Sequence, residues 1–302
     1  MRSQVSRHRS QGRVFQPPAW LDHSAYPFSH RFALLGEGRM HYVDEGQGEP
    51  VVFSHGTPTW SFEYRHMIRA VADRRRCIAP DHLGFGLSER PVGATYTPEA
   101  HAARFREFVD SLRLDRFALV VHDYGGPIAL PLALDGRVSR LVLLNTWGWP
   151  FDDDREMSRR AALVSGTFGR WLYRHANASL RLLMPSAYGN RQHLTKSIHR
   201  QYLEPFADPD DRVLVLWPLA HALLGSSAFY ADLASRASAL SSIPTRIIWG
   251  MRDTAFRPKQ LERWRRLLPQ ANVIELDQAG HWPHEEAPSE VAQLVAEFLE
   301  VA

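Results

Sequence analysis

Asp123 closes the apolar run Phe117-Ala118-Leu119-Val120-Val121-His122 and is followed by Tyr124 and then by two glycines, Gly125 and Gly126. The run reads as a buried parallel strand, and the residues from Pro127 onward read as a helix. A strand that becomes a helix within three residues must bend sharply. The two glycines let the helix come close to neighbouring strands. Such a turn holds the Asp123 side chain above a sheet, at the positive end of a helix that favours its ionised form. A simple helix cap would also accept an aspartate here, so the partners further along must decide between capping and chemistry. Asp253 follows Trp249-Gly250-Met251-Arg252, just past one predicted strand, and His281 follows Leu276-Asp277-Gln278-Ala279-Gly280, just past the next. A carboxylate nucleophile needs a base and a group that orients the base. His281 and Asp253 supply both from successive strand ends.

The choice of aspartate points to a particular reaction. A serine alkylated at a saturated carbon would form an ether, which resists hydrolysis, whereas a carboxylate forms an ester that water cleaves. Asp123 is ionised at neutral pH and needs no base for its own attack. His281 is therefore expected to act in a second step, taking a proton from the water that attacks the ester. Asp253 would fix the imidazole tautomer and stabilise the imidazolium. The loop His55-Gly56-Thr57-Pro58 follows another predicted strand. The backbone N–H groups of Thr57 and Tyr124 are expected to form an oxyanion hole for the tetrahedral intermediate. No G-x-S-x-G pattern appears, which argues against a serine esterase. No metal-ligand spacing such as H-E-x-x-H appears either, and the scheme calls for neither a metal nor an organic cofactor.

These residues need a scaffold, and the chain alternates in the way that builds one. Strands are predicted at His30–Leu35 and Met40–Asp44 as a hairpin, then at 50–54, 77–79, 117–122, 141–145, 245–250 and 272–276. Helices are predicted at 60–71, 97–112, 127–134, 259–268 and 288–299. Strand–helix alternation implies an α/β fold with a mostly parallel sheet flanked by helices. Ligands bind at the carboxyl ends of such strands. From Trp147 to about Ala239 the pattern is helical without a convincing strand. We read 26–146 and 240–302 as the core domain, 147–239 as an inserted helical cap, and 1–25 as a disordered basic tail and linker.

The 302 residues are 44% hydrophobic, enough for one large core. The first ten residues are basic and polar with no apolar stretch, unlike a secretory signal. No apolar run reaches membrane-spanning length. With a single cysteine, Cys77, the chain has no internal disulfide, and a cytoplasmic location is expected. The net charge of +3 arises from arginines spread among acids rather than from a basic stripe, which argues against nucleic-acid binding. The expected partner is a small apolar organic substrate, with no membrane.

The chain resembles the α/β-hydrolases and, within them, the haloalkane dehalogenases. The order nucleophile, acid, histidine is that of the α/β-hydrolase triad. The resemblance is carried by His55-Gly56-Thr57-Pro58-Thr59-Trp60-Ser61-Phe62-Glu63-Tyr64-Arg65, by Pro80 to Ser88, by His122-Asp123-Tyr124-Gly125-Gly126, by Trp249 to Asp253, and by Ala279-Gly280-His281-Trp282-Pro283. It implies an α/β-hydrolase fold and the conversion of an alkyl halide and water to an alcohol and halide. The family usually has a Trp after the nucleophile, whose indole N–H holds the leaving halide; this chain has Tyr124. A second donor in that family is often an Asn in the loop where Thr57 stands, or a Trp in the cap. Trp171 is spaced from Asp123 much as that cap Trp is, with Trp147 and Trp149 nearby. Epoxide hydrolases share the fold and the Asp nucleophile and use cap tyrosines; Tyr173, Tyr188 and Tyr202 keep that alternative open. A non-catalytic binding protein on the same fold is disfavoured, because all three triad positions are filled.

Overall fold

The computed structural model describes residues 15–300. Eight strands form one sheet: β1 (Arg31–Leu35), β2 (Gly38–Glu45), β3 (Pro50–Ser54), β4 (Arg76–Pro80), β5 (Phe117–Asp123), β6 (Val138–Thr146), β7 (Thr245–Gly250) and β8 (Asn272–Leu276). Their order is β1-β2-β4-β3-β5-β6-β7-β8. The β1–β2 hairpin and the β2–β4 pair are antiparallel, and every later pair is parallel. All residues of β5 are buried, as expected for a strand covered on both faces.

Helices α1 (Arg65–Val71), α2 (Pro98–Ser111) and α3 (Gly125–Leu134) alternate with strands β3 to β6. Thr97 caps α2 by accepting a hydrogen bond from the Ala100 amide, with Pro98 at the first helical position. Between β6 and β7 the chain is helical: α4 (Arg155–Ser165), α5 (Thr167–Ala176), α6 (Met184–Ala187), α7 (Lys196–Leu203), α8 (Pro209–Asp211), α9 (Trp217–Gly225) and α10 (Ser227–Arg236). The core resumes with α11 (Pro258–Leu267), α12 (Pro283–Glu286) and α13 (Pro288–Glu300). Among the described residues no single helix is long and apolar enough to cross a membrane.

The strand pattern agrees with the sequence reading, with edges moved by a few residues. β6 begins at Val138 rather than Leu141, and α3 begins at Gly125 rather than Pro127. One expectation needs correction. Residues 1–14 of the expected tail lie outside the described residues, but 15–25 are packed against the core. The Leu21 side chain is buried, Trp20 meets Trp60 edge-on at 5.9 Å, and the Asp22 amide donates to Gln201 Oε1 at 3.1 Å. The Pro17-Pro18 pair suggested a linker, but Phe15 packs on Phe32 of β1, Trp20 on Trp60, and Leu21 in the core, apolar area that is more stable there than in water.

Candidate active site

The bend after β5 sets the geometry. Asp123 has φ of +49°, a left-handed conformation that is strained for an L residue with a side chain. The turn is held from both sides. The Thr146 hydroxyl donates to the Asp123 carbonyl at 2.6 Å. Gly125 lies so close to β3 that a Cβ there would stand 1.9 Å from the Ser54 carbonyl oxygen. Gly56 meets the nucleophile itself, since a Cβ there would fall 2.3 Å from that of Asp123. These two glycines are therefore fixed by close approach rather than by flexibility.

His281 joins the two carboxylates. Its Nε2 is 3.3 Å from Asp123 Oδ2, and its Nδ1 is 2.7 Å from Asp253 Oδ2. Burial works to strip a proton from this imidazole. Asp253 first, and then Asp123, outweigh burial and raise it from the ordinary 6.5 to about 10. Asp253 is itself held: Oδ2 accepts from Asn145 Nδ2 at 2.8 Å, and Oδ1 accepts from the Ala255 amide at 2.6 Å. Asn145 also accepts from the Gly250 amide at 2.8 Å, so it ties the end of β6 to the end of β7. Sequence reasoning took Asn145 only as the last residue of a strand. The sequence showed only an amide residue at the end of an apolar run; its full burial beside two other functional strand ends is visible in the structure alone.

Thr57 and Tyr124 lie on either side of the nucleophile. The Thr57 amide donates to Asp123 Oδ1 at 2.9 Å. This carboxylate oxygen thus accepts from one of the two backbone N–H groups expected to form the oxyanion hole. The Tyr124 phenol turns away from an open role: it donates to the Leu219 carbonyl at 2.6 Å, and Tyr230 donates to it at 3.2 Å. Its ring stands edge-on to Trp147, 4.7 Å away.

A cavity of about 380 Å³ opens over Asp123 and His281. Its walls are largely apolar, with Met157, Val164, Met184 and Leu223 from the helical segment. Trp171 does not line it. That side chain is 54% exposed, stacked on Phe168 at 6.2 Å and beside His175 at 5.2 Å. The reason is helical phase. In α5 the inward residues are Gly169 and Tyr173, one turn apart; Trp171 lies two residues from each and so points to the other side. Tyr173 is the α5 residue that reaches the cavity, and burial raises its phenol to about 12, so it stays neutral. Trp282 also lines the cavity, and its indole N–H has no hydrogen-bond partner among the described residues. Nothing in the sequence reading singled out Trp282 as a donor. Of the other cap tyrosines, Tyr202 donates to Glu285 and Tyr188 stacks on Trp282 at 5.2 Å.

Comparison with known proteins agrees with this architecture. The family model described as alpha/beta hydrolase fold matches residues 49–288. The chain is 39% identical over 280 residues to haloalkane dehalogenase 2 of Mycobacterium tuberculosis, covering 91% of this chain and 96% of the relative. It is 34% identical to a cis-3-alkyl-4-alkyloxetan-2-one decarboxylase of Shewanella oneidensis, covering 90% of this chain and 89% of the relative. A solved haloalkane dehalogenase from Agrobacterium tumefaciens C58 superposes with a TM-score of 0.77 at 25% identity, covering 92% of this chain and 99% of that one.

Proposed function

The chain belongs to the α/β-hydrolase family and is a haloalkane dehalogenase-like hydrolase, and we propose that it works through a covalent ester on Asp123. The observation that carries this reading is one carboxylate on a strained turn, 3.3 Å from a histidine that a second carboxylate orients, facing an apolar cavity. Asp123 attacks a saturated carbon from its Oδ2 side, and the carbon–leaving-group bond breaks as the ester bond forms. Esterification removes the Asp123 charge, one of the two that keep a proton on His281. The imidazole then moves toward its free base, takes a proton from water, and directs the hydroxide at the ester carbonyl carbon. Asp253, fixed by Asn145, holds the imidazole in register through both steps. The backbone N–H groups of Thr57 and Tyr124 stabilise the oxyanion. The alcohol leaves and Asp123 is regenerated.

The leaving group needs a donor in the apolar cavity. Trp282 lines the cavity, and its buried indole N–H, which has no hydrogen-bond partner among the described residues, is the donor we assign to a departing halide once the ring turns to present it. Tyr173 supplies a neutral phenol and favours a second reading, in which the leaving atom is the oxygen of a strained ring, as in an epoxide. We assign the helical segment 147–239 the role of a cap that encloses the substrate and presents these donors. The test is a panel of brominated alkanes and simple epoxides, with halide release and diol formation measured side by side. Halide release from the bromides supports the dehalogenase reading. Diol formation alone would replace it with the epoxide reading, and neither product would remove the hydrolytic assignment for these substrate classes.

A further inference from the structure

Next to His281, but outside the cavity, lies a buried group of side chains that the reaction scheme does not use. Glu63 sits on the short turn Ser61–Tyr64 before α1, His122 is the β5 residue before the nucleophile, and His284 sits on α12. None of them lines the cavity over Asp123. All three are at most 1% exposed, so water does not serve them from outside. Five of their polar atoms have no hydrogen-bond partner among the described residues: both carboxylate oxygens of Glu63, Nδ1 of His122, and both ring nitrogens of His284. Buried polar atoms are normally paired, so a cluster of orphans calls for a shared partner.

The orphaned atoms face one another. His122 Nδ1 is 3.3 Å from Glu63 Oε1, and His284 Nε2 is 3.7 Å from Glu63 Oε2. One ligand atom from each residue lies within 4.8 Å of the other two. The other nitrogen of His122 fixes its tautomer. Nε2 is 2.8 Å from the His281 backbone carbonyl, which can only accept, so Nε2 carries the ring hydrogen. A neutral His122 then turns the bare lone pair of Nδ1 toward a carboxylate. Two acceptors meet out of water, and no hydrogen bond joins them. A single proton would serve one such pair and leave the third side chain unmatched. A divalent cation accepts from all three at once.

The neighbouring donors are engaged elsewhere. Arg65 donates to Glu285 and to the Phe62 carbonyl, Tyr202 donates to the same Glu285, and the Tyr64 phenol donates to the Ser54 carbonyl. The donor set selects the metal. Calcium and magnesium want mostly oxygen ligands. Two imidazoles and a carboxylate suit zinc or ferrous iron, but iron sites of this type keep positions open for reactants, and this group is enclosed. Ligands about 2.0–2.1 Å from a tetrahedral zinc stand roughly 3.3 Å apart. The two contacts to Glu63 are already close to that spacing. No hydrogen bond anchors the His284 ring, so it can turn to close the set. The bond from His122 Nε2 to a backbone carbonyl is the support that a metal-bound histidine usually has.

We propose that Glu63, His122 and His284 form a structural zinc site, bound through one Glu63 carboxylate oxygen, His122 Nδ1 and His284 Nε2, with water as the fourth ligand. Each ligand is near a reacting group along the chain. His122 adjoins Asp123, His284 comes three residues after His281, and Glu63 comes six after Thr57. The metal therefore clamps the segment after β3, the end of β5 and the loop after β8 to one another. It takes no part in the displacement or the ester hydrolysis. The three ligands are far apart in sequence, so no spacing motif announces them.

The test is the metal content of the untagged full-length protein, stripped with chelator, incubated with Zn²⁺ and freed of loose metal by gel filtration. The wild type should retain about one equivalent of zinc, and Glu63→Gln and His284→Gln should each retain less than about one tenth. Glu63→Gln suits the purpose because its amide can donate to His122 Nδ1 and so replace the metal's role in the fold. X-ray absorption of the zinc-loaded wild type should show a nitrogen and oxygen shell at about 2.0–2.1 Å with two imidazoles. That spectrum tests the site even if a variant fails to fold. Zn²⁺ should also raise the melting temperature of the stripped wild type by roughly 5 °C or more, and that of Glu63→Gln by less than about 1 °C. Less than about one tenth of an equivalent in the wild type, a full equivalent kept by both variants, or a shell with fewer than two imidazoles would overturn the proposal. No substrate is needed, so such a failure leaves the ester mechanism standing.

Discussion

The sheet end and the helical segment above it face the same cavity but hold their residues by different means. On the sheet side each reacting group is tied to at least one neighbouring strand: Asp123 through Thr146, Asp253 through Asn145, and the His281 backbone through His122. On the helical side, position depends on which way a helix faces. In α5 a shift of two residues separates Tyr173 in the cavity from Trp171 in solvent. In the proposed mechanism the sheet therefore fixes attack and ester hydrolysis, and the helices choose the leaving group. Different leaving groups can be served on one sheet by rotating or replacing cap side chains, with no change to the triad.

The largest expected effect lies on the sheet side. Asp123→Ala should lower turnover by at least about 10⁴-fold while leaving the thermal unfolding profile nearly unchanged, because the side chain is in a turn at the cavity floor. Retention of more than a small fraction of activity would move the nucleophile elsewhere. Asn145→Ala should come next, with kcat lower by about 100-fold through a misplaced Asp253. It should also destabilise the fold by roughly 1–3 kcal/mol, since a buried carboxylate oxygen loses its donor. Loss of stability with kcat intact would show that Asn145 serves packing alone.

The helical side should respond more weakly and more selectively. Tyr173→Phe should lower turnover of a substrate whose leaving atom is oxygen by roughly 10²-fold, as for loss of one donor to a developing oxyanion. Trp171→Phe should change turnover less than about twofold, as an exposed surface substitution should. If Trp171→Phe proved the more damaging of the two on both bromides and epoxides, the phase argument for α5 would fail.

A further effect concerns pH. His281 has a folded value raised to about 10 over an ordinary 6.5. A raised histidine stabilises the fold fully below its unfolded value, and that contribution fades as pH climbs through the folded value. Wild-type stability should therefore fall between about pH 6.5 and pH 10, measured by denaturant midpoint. In His281→Phe that slope should flatten. An unchanged slope in the variant would assign the alkaline loss to other groups.

Much of the sheet side was legible in the sequence because it follows from short-range patterns. An apolar run ending in an acid and two glycines specifies a strand, a sharp turn and a helix. The alternating pattern then places Asp253 and His281 on the same end of one sheet. Asn145 was not legible, because its role depends on which strand lies beside it, and sheet order is not written locally. Trp171 misled because its distance along the chain from Asp123 says nothing about helix phase. A one-turn inward pair, Gly169 and Tyr173, was the pattern to follow. The packed segment 15–25 was also missed, since two prolines are as compatible with a strap across the core as with a free linker.

The account turns on the ester at Asp123, and the most direct measurement is mass spectrometry of His281→Phe after exposure to a bromoalkane that the wild type turns over. The displacement step does not require the imidazole, so the variant should form the ester and stall. The peptide containing Asp123 should gain the mass of the alkyl group, in near-stoichiometric yield and with release of one bromide per protein. An unmodified Asp123 peptide, or an adduct on any other residue, would contradict the mechanism.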